Sequence, residues 1–331
     1  MIKYVDIIFG LAWGDEGKGK VSNAISKEYD MVCRWNGGPN AGHTVYLNNK
    51  KYKTHIIPCG IFQNKPSIIG PNCVIDIDKF FDEIDYLKKE GFDTSLIKVS
   101  PKAHIITKRH IQYDLQVLKN KLGTTGQGIA PVYSDKMLRR GKLCRDYLDK
   151  NYLWDGDLYG KILCEGAQSF WLDINYGEYP YVTSSETLPY SACSLGFSPK
   201  DIRDIIGVAK IYDTKSGVDP LFPESLWKDE DLNKLIELGE EYGTTTKRKR
   251  IVNWLNMGKL IFAVKKSGTN KLIINKCDIL QKLNIFKLLF FNNKDGPNFI
   301  KFNNFIEMKD YIFNTLSPYC QVVFSQKKDL I

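Results

Sequence analysis

Val5-Asp-Ile-Ile-Phe9, Trp13-Gly-Asp-Glu-Gly-Lys-Gly-Lys20 and Val21-Ser-Asn-Ala-Ile-Ser-Lys27 follow one another at the start of the chain. The first is an apolar run of strand length, the second a glycine-rich loop and the third a helix start. This order is the phosphate-binding unit of α/β proteins. Its glycines let the backbone approach a phosphate with N–H groups turned inward, and the helix start adds partial positive charge. Lysines in the loop supply counter-charge. Scanned as a Walker A motif, Gly14 to Lys20 fits, but Val21 stands where a Ser or Thr should hold magnesium. The metal ligand must then come from elsewhere, and Asp15 is the obvious carboxylate.

Further along the chain, short apolar runs bounded by turn residues occur at Met31–Cys33, Ser67–Ile69, Lys161–Cys164, Ile205–Ala209 and Lys271–Ile274. They read as strands buried on both faces. Helical spacing lies between them: Phe80, Phe81, Ile84 and Leu87 follow the possible cap Asp78, and Ile111, Leu115 and Leu118 repeat similarly. Strands alternating with helices predict an α/β fold with a mostly parallel central sheet flanked by helices. No repeat or Pro- and Ser-rich linker divides the chain, so a single domain over residues 1–331 is expected. The Asn-, Lys- and Phe-rich stretch from Phe286 to Phe305 reads as peripheral.

The chain has 331 residues, 43% of them hydrophobic and 26% charged, which predicts a packed core and excludes disorder. Its longest apolar candidate, Ile285–Phe291, contains a lysine and falls far short of the ~20 residues of a membrane span. The start, Met1-Ile-Lys-Tyr-Val-Asp6, lacks the pattern of a signal peptide, and a cytosolic location is expected. The net charge of +9 suits nucleotides as well as nucleic acid. No Cys-x-x-Cys pair exists among the eight cysteines, and four histidines argue against a multi-His metal centre. Buried reduced thiols are expected instead.

Other stretches carry chemistry. Arg34-Trp-Asn-Gly-Gly-Pro-Asn-Ala-Gly-His-Thr-Val45 can set an amide (Asn40), a carbonyl (Gly42) and an imidazole (His43) beside the first loop. Gly123-Thr-Thr-Gly-Gln-Gly128 is a second anion-binding loop. Thr244 to Thr246, followed by Lys247-Arg-Lys-Arg250, suit a carboxylate or phosphate better than a DNA groove. Asn275-Lys-Cys-Asp278 follows the Lys271–Ile274 strand. There an Asp can accept both the N1–H and the 2-amino hydrogens of guanine, while the Lys stem stacks on the base.

Together these stretches resemble the adenylosuccinate synthetase family. The resemblance extends through His55–Ile61, Gly123–Gly141, Glu165-Gly-Ala-Gln168, Tyr179–Ser185 and Glu241–Leu255, in the family's order, and the length is nearer its compact archaeal and viral forms. It implies a ligase of purine biosynthesis joining L-aspartate to IMP through a 6-phosphoryl intermediate, with GTP as co-substrate and Mg²⁺ as cofactor. Asp15 would take the N1 proton and ligate the metal with the Gly42 carbonyl. His43 would act as the acid that stabilises charge during phosphoryl transfer, with Lys18 on the phosphates. The implied GTP site comprises Gly14, Glu16, Gly17, Lys18, Gly19, Lys20, Gly42, Thr44, Arg250, Lys276, Asp278 and Ser325. IMP would meet Asp15, Asn40, Ala41, His43, Thr125, Gln168, Thr183 and Arg248, with Arg139 reaching across a homodimer interface. Aspartate would be held by Thr244, Thr245, Thr246, Arg248 and Arg250.

This sequence departs from the family pattern at Ala12, Gln127, Lys247, Ser185-Glu-Thr-Leu188 and Ser325-Gln-Lys-Lys328. ATP as donor and GMP or dGMP as acceptor therefore remain alternatives, the latter matching the phage branch that makes 2-aminoadenine. A non-catalytic nucleotide- or nucleic-acid-binding protein is the rival of a different class, although the paired Asp15 and His43 favour an enzyme acting on neither nucleic acid nor membrane.

Overall fold

Ile2–Gly10 (β1) runs through the middle of an eight-stranded sheet. The others are Met31–Arg34 (β2), Ser67–Ile69 (β3), Ile97–Val99 (β4), Gly160–Ser169 (β5), Ile202–Lys210 (β6), Lys271–Asn275 (β7) and Gln321–Phe324 (β8). Their order across the sheet is β8-β7-β6-β1-β5-β2-β3-β4. Every pairing is parallel, so the sheet is more uniform than the expected mostly parallel one. This computed structural model describes residues 1–217, 219, 222, 229–243, 249–292 and 296–325. The expected aspartate-loop residues Thr244, Thr245, Thr246 and Arg248 lie outside the described residues, as does Lys247.

The apolar run in β1 reflects burial on both faces. Ile7 and Phe9 belong to one packed cluster and Ile8 to another, each at 1% exposure or less. Alternate residues of a strand point to opposite faces, so helices must cover both. The chain leaves β1 at its carboxyl end, in the middle of the sheet, where open parallel sheets form their binding crevice. Lys18–Ser26 (α1) then packs beside the hairpin of His43–Leu47 and Lys50–Thr54. Among the described residues all eight cysteines are free, and all but Cys193 are buried. No described helix is long and apolar enough to cross a membrane.

Two local expectations change. The helix carrying Phe80 and Ile84 spans Ile77–Lys89 and is capped by Asp76, whose carboxylate accepts the Lys79 N–H, so Asp78 sits in the first turn. An anionic residue is favourable in either place, which makes the two hard to separate by sequence. The segment from Lys108 to Leu122 is not a simple amphipathic helix. A wide turn over Asp114–Leu118 interrupts it, Leu115 is 42% exposed and Asp114 is buried. The inward position faces loop backbone rather than core. Asp114 accepts the Gly128 N–H at 2.8 Å and the Thr124 hydroxyl at 2.5 Å, anchoring the Gly123–Gly128 loop.

Tyr212–Lys215 pairs antiparallel with Ile251–Trp254, setting Asp213 opposite Asn253, both buried. Burial pushes the Asp213 carboxyl up to about 7, although it accepts the Asn256 N–H at 2.9 Å. A raised carboxyl contributes stability that is fully present below its unfolded value of 3.8 and is lost as pH rises through about 7. Asp213→Asn, which keeps the acceptor without the charge, should flatten this dependence. The difference between the two proteins should reach roughly 4 kcal/mol at most between pH 4 and 7, read by urea unfolding. Parallel stability curves for the two proteins would contradict that origin.

Candidate active site

The loop leaving β1 is shaped by backbone that only a few residues adopt comfortably. Gly14, Asp15 and Gly17 have φ of 97°, 62° and 91°. Inside the loop the buried Glu16 side chain accepts the Gly14 N–H at 2.8 Å and pairs with Lys18 Nζ at 2.7 Å. Its carboxylate therefore shapes the loop from within. The start of α1 at Gly17 carries no side-chain cap, which leaves its N–H groups to an anion. A Cβ at Gly19 would come within 2.8 Å of the His43 Cβ, so glycine there lets the second loop lie against α1.

A cavity of about 570 Å³ opens over this loop. Along its walls lie Gly14 to Lys20, Asn40 to Thr44, Thr125, Gln168, Thr183, Arg250, Lys276 and Asp278. The residues expected at the site from distant parts of the chain thus converge on one cavity. The Asn40 and Gln168 amide oxygens are buried and have no hydrogen-bond partner among the described residues. Buried acceptors of this kind call for a donor from a ligand or water. Ser325 stands apart from the lining, buried and accepting from Lys20 Nζ at 2.5 Å. Arg139 is also outside it, exposed at the end of the Ile129–Met137 helix with φ of 59°.

Asp15 lines the cavity with its two oxygens in different surroundings. Oδ2 accepts from Arg250 Nε at 2.7 Å and from the Ser216 hydroxyl at 3.3 Å. Oδ1 has no such partner among the described residues. Arg250 also donates to Glu241, which in turn binds Lys210 and the Tyr212 hydroxyl. Burial opposes charge on Glu241, but Lys210 and Arg250 outweigh it and hold its carboxyl at about 2. Magnesium favours hard oxygen ligands and retains waters, so the Asp15 carboxylate and the Gly42 carbonyl, which line the same cavity, fit it.

His43 presents its other edge to a buried cluster. Nδ1 is 2.8 Å from Glu165 Oε1, 2.9 Å from Arg34 Nη2 and 3.6 Å from Cys59 Sγ. Burial, and then the Arg34 charge, push the His43 pKa below its ordinary value against the pull of Glu165. The imidazole is therefore neutral near pH 7. Burial would raise the Glu165 carboxyl, but His43 and Arg34 hold it well below the usual range. His43, Cys59 and Glu165 are ligand types that suit zinc, yet the fully buried Arg34 guanidinium already lies against both His43 and Glu165. That cluster is an ion pair built around an imidazole.

The motif at the end of β7 has two jobs. Asn275 donates to the Glu16 carbonyl at 2.8 Å, tying β7 to the phosphate loop. Lys276, in the left-handed region with φ of 66°, reaches the Gly239 carbonyl, and Asp278 enters the cavity from the first turn of Cys277–Leu283.

The family model for adenylosuccinate synthetase matches residues 7–158 and 156–303. The adenylosuccinate synthetase of Porphyromonas gingivalis is 36% identical over 88% of this chain and 82% of its own. The chain belongs to the adenylosuccinate synthetase family. That of the archaeon Thermoplasma volcanium is also 36% identical, over 88% of this chain and 79% of its own. The fully ligated adenylosuccinate synthetase of Plasmodium falciparum superposes with a TM-score of 0.87 at 28% identity, over 98% of each chain. A cyanophage S-2L succinoaminodeoxyadenylate synthetase, solved with dGMP and with dATP as energy donor, shares the fold. Its TM-score is 0.75 at 19% identity, over 98% of this chain and 93% of its own. Family membership makes the chain a ligase of purine biosynthesis that forms a C–N bond.

Proposed function

We propose that the chain joins L-aspartate to IMP at the expense of GTP, making adenylosuccinate. The observation that carries this reading is the meeting of Asp15, His43, Asn40 and Gln168 in one cavity above an uncapped helix start. Asp15 Oδ1 takes the N1 proton, which turns the 6-carbonyl of the purine into an oxyanion. That oxyanion attacks the γ-phosphate of the donor in line, with the α1 N–H groups, Lys18 and Lys20 holding the phosphates. Once phosphorylated, the 6-oxygen is a good leaving group, and the aspartate amine displaces it. Mg²⁺, held by Asp15 and the Gly42 carbonyl, would offset phosphate charge. His43 steadies the transferring group, and the Asn40 and Gln168 amides orient the acceptor. Thr125 and Thr183 line the same cavity.

The reading includes a cytosolic homodimer built from one domain over residues 1–331. Tyr113, Leu115, Val117, Met137 and Leu138 are all at least 42% exposed, and the last two immediately precede Arg139. An apolar surface of this kind beside an exposed arginine suits a partner subunit whose acceptor site Arg139 completes.

The test is a matrix of donors and acceptors, GTP and ATP against IMP, GMP and dGMP, with product formation from aspartate followed by chromatography. Ligation should be fastest with GTP and IMP, and no ligation by any pair would reject the function. Within the same reading, Asp278→Asn should move donor preference from GTP towards XTP by at least about tenfold in kcat/KM. The amide can donate to the 2-oxo group of xanthine but mismatches one guanine hydrogen. Equal use of ATP and GTP by the unsubstituted protein would reject the guanine assignment.

A further inference from the structure

Glu165 ends the apolar stretch of β5, fully buried, and its carboxylate is surrounded by donors from four separate parts of the chain. The Ser22 hydroxyl and the Cys59 N–H donate to Oε2, the latter at 3.0 Å. Arg34 Nη2 donates to Oε1. The remaining direction at Oε1 faces His43 Nδ1 at 2.8 Å.

A bare Nδ1 at that distance would set its lone pair against a carboxylate lone pair, which is repulsive. A protonated Nδ1 makes a charge-assisted hydrogen bond there instead. Arg34 Nη2, 2.9 Å from the same Nδ1, gives up the ring as an acceptor in this arrangement but keeps Glu165 Oε1, while Nη1 donates to the His55 carbonyl. The other ring nitrogen, Nε2, has no partner among the described residues, and His43 lines the cavity.

We propose that Glu165 is a positioning residue for His43, accepting its Nδ1–H and so fixing the ring with Nε2 towards the transferring phosphoryl group, whose negative charge favours protonation of Nε2 to the form that donates to it. Arg34, Ser22 and the Cys59 N–H hold the carboxylate in place for that purpose. A neutral imidazole is free to rotate and to carry its proton on either nitrogen, and a buried carboxylate removes both freedoms. The inference rests on the role proposed for His43 in the ligase reaction. The hydrogen bond itself is testable without any reaction.

Long-range ¹H–¹⁵N spectra of the unsubstituted protein labelled with ¹⁵N-histidine report the tautomer directly, with the His43→Asn spectrum assigning the signal. His43 should be Nδ1–H. A proton on Nε2 in place of Nδ1 would overturn the proposal whether or not the protein ligates aspartate. In steady-state assays Glu165→Gln should lower kcat by about 10²-fold or more while both nucleotide KM values stay within about threefold, with Glu165→Asp restoring part of the rate. A raised KM at unchanged kcat would overturn the proposal. Glu165→Gln also strips Arg34 of its counter-ion. If that variant does not fold, the tautomer of the unsubstituted protein decides the question alone. Failure of every acceptor in the donor matrix, with His43 as Nδ1–H, would reject the ligase reading and leave the hydrogen bond standing.

Discussion

Asp15→Ala should abolish measurable turnover, a loss of at least about 10³-fold in kcat, because in the proposed reaction one side chain supplies both the proton acceptor and a metal oxygen. The structure gives a reason to expect the protein to survive the change. Arg250, which pairs with Asp15, keeps its second carboxylate partner, Glu241, at 2.5 Å. No buried cation is stranded, and with alanine less suited than aspartate to φ of 62° the loss of unfolding stability should stay within about 2 kcal/mol. Donor nucleotide affinity should also change little, because the uncapped start of α1, Lys18 and Lys20 remain. His43→Asn should cost less, about 10²–10⁴-fold in kcat, since it removes one interaction with the transferring group. Single-turnover rates and nucleotide titrations separate these effects, and near-normal kcat in either variant would remove its residue from the proposed chemistry.

The parts of this protein that were legible in its sequence share a physical property. The apolar run Val5–Phe9, the glycines after it and the helix start at Lys18 are contiguous, so local preference and tertiary placement agree. That Asp15 and His43 line one cavity was legible for a similar reason, each lying in a small-residue loop after a strand. Glu165 was not legible as the partner of His43. An acid at a strand end looks like any other, and its four donors come from residues 22, 34, 43 and 59, which no periodicity links. Ser216 and Glu241 were missed for the same reason, since both act on the site through Asp15 or Arg250 across more than 200 and 9 positions of chain. The segment around Asp114 shows the opposite failure. Its leucines follow a helical period, but the surface they were expected to meet is loop backbone, which takes a carboxylate better than an alkyl chain.

IMP should exceed dGMP in kcat/KM by about 10²-fold, and the reason lies in the unequal oxygens of Asp15. The two purines differ at C2, where IMP has hydrogen and dGMP an amino group beside the N1 proton. Accepting from both N1–H and the 2-amino group takes two carboxylate oxygens side by side. In this protein Oδ2 is already engaged by Arg250 at 2.7 Å and by Ser216, leaving Oδ1 for the acceptor. Asp15 cannot swing aside to compensate, because its φ of 62° and the flanking Gly14 and Gly17 fix it in a tight turn held from inside by Glu16. An added amino group must therefore displace the purine or go without an acceptor. A shift of about 1 Å costs roughly 10²-fold in rate even when binding survives. Asp15→Ser, which shortens the side chain and releases Arg250, should narrow the ratio at a much lower absolute rate. Competition between IMP and dGMP in a single reaction reads the ratio directly. Turnover of dGMP equal to that of IMP would mean that Arg250 yields Oδ2 to the purine, and would move this enzyme to 2-aminoadenine synthesis with its phosphate loop and sheet unchanged.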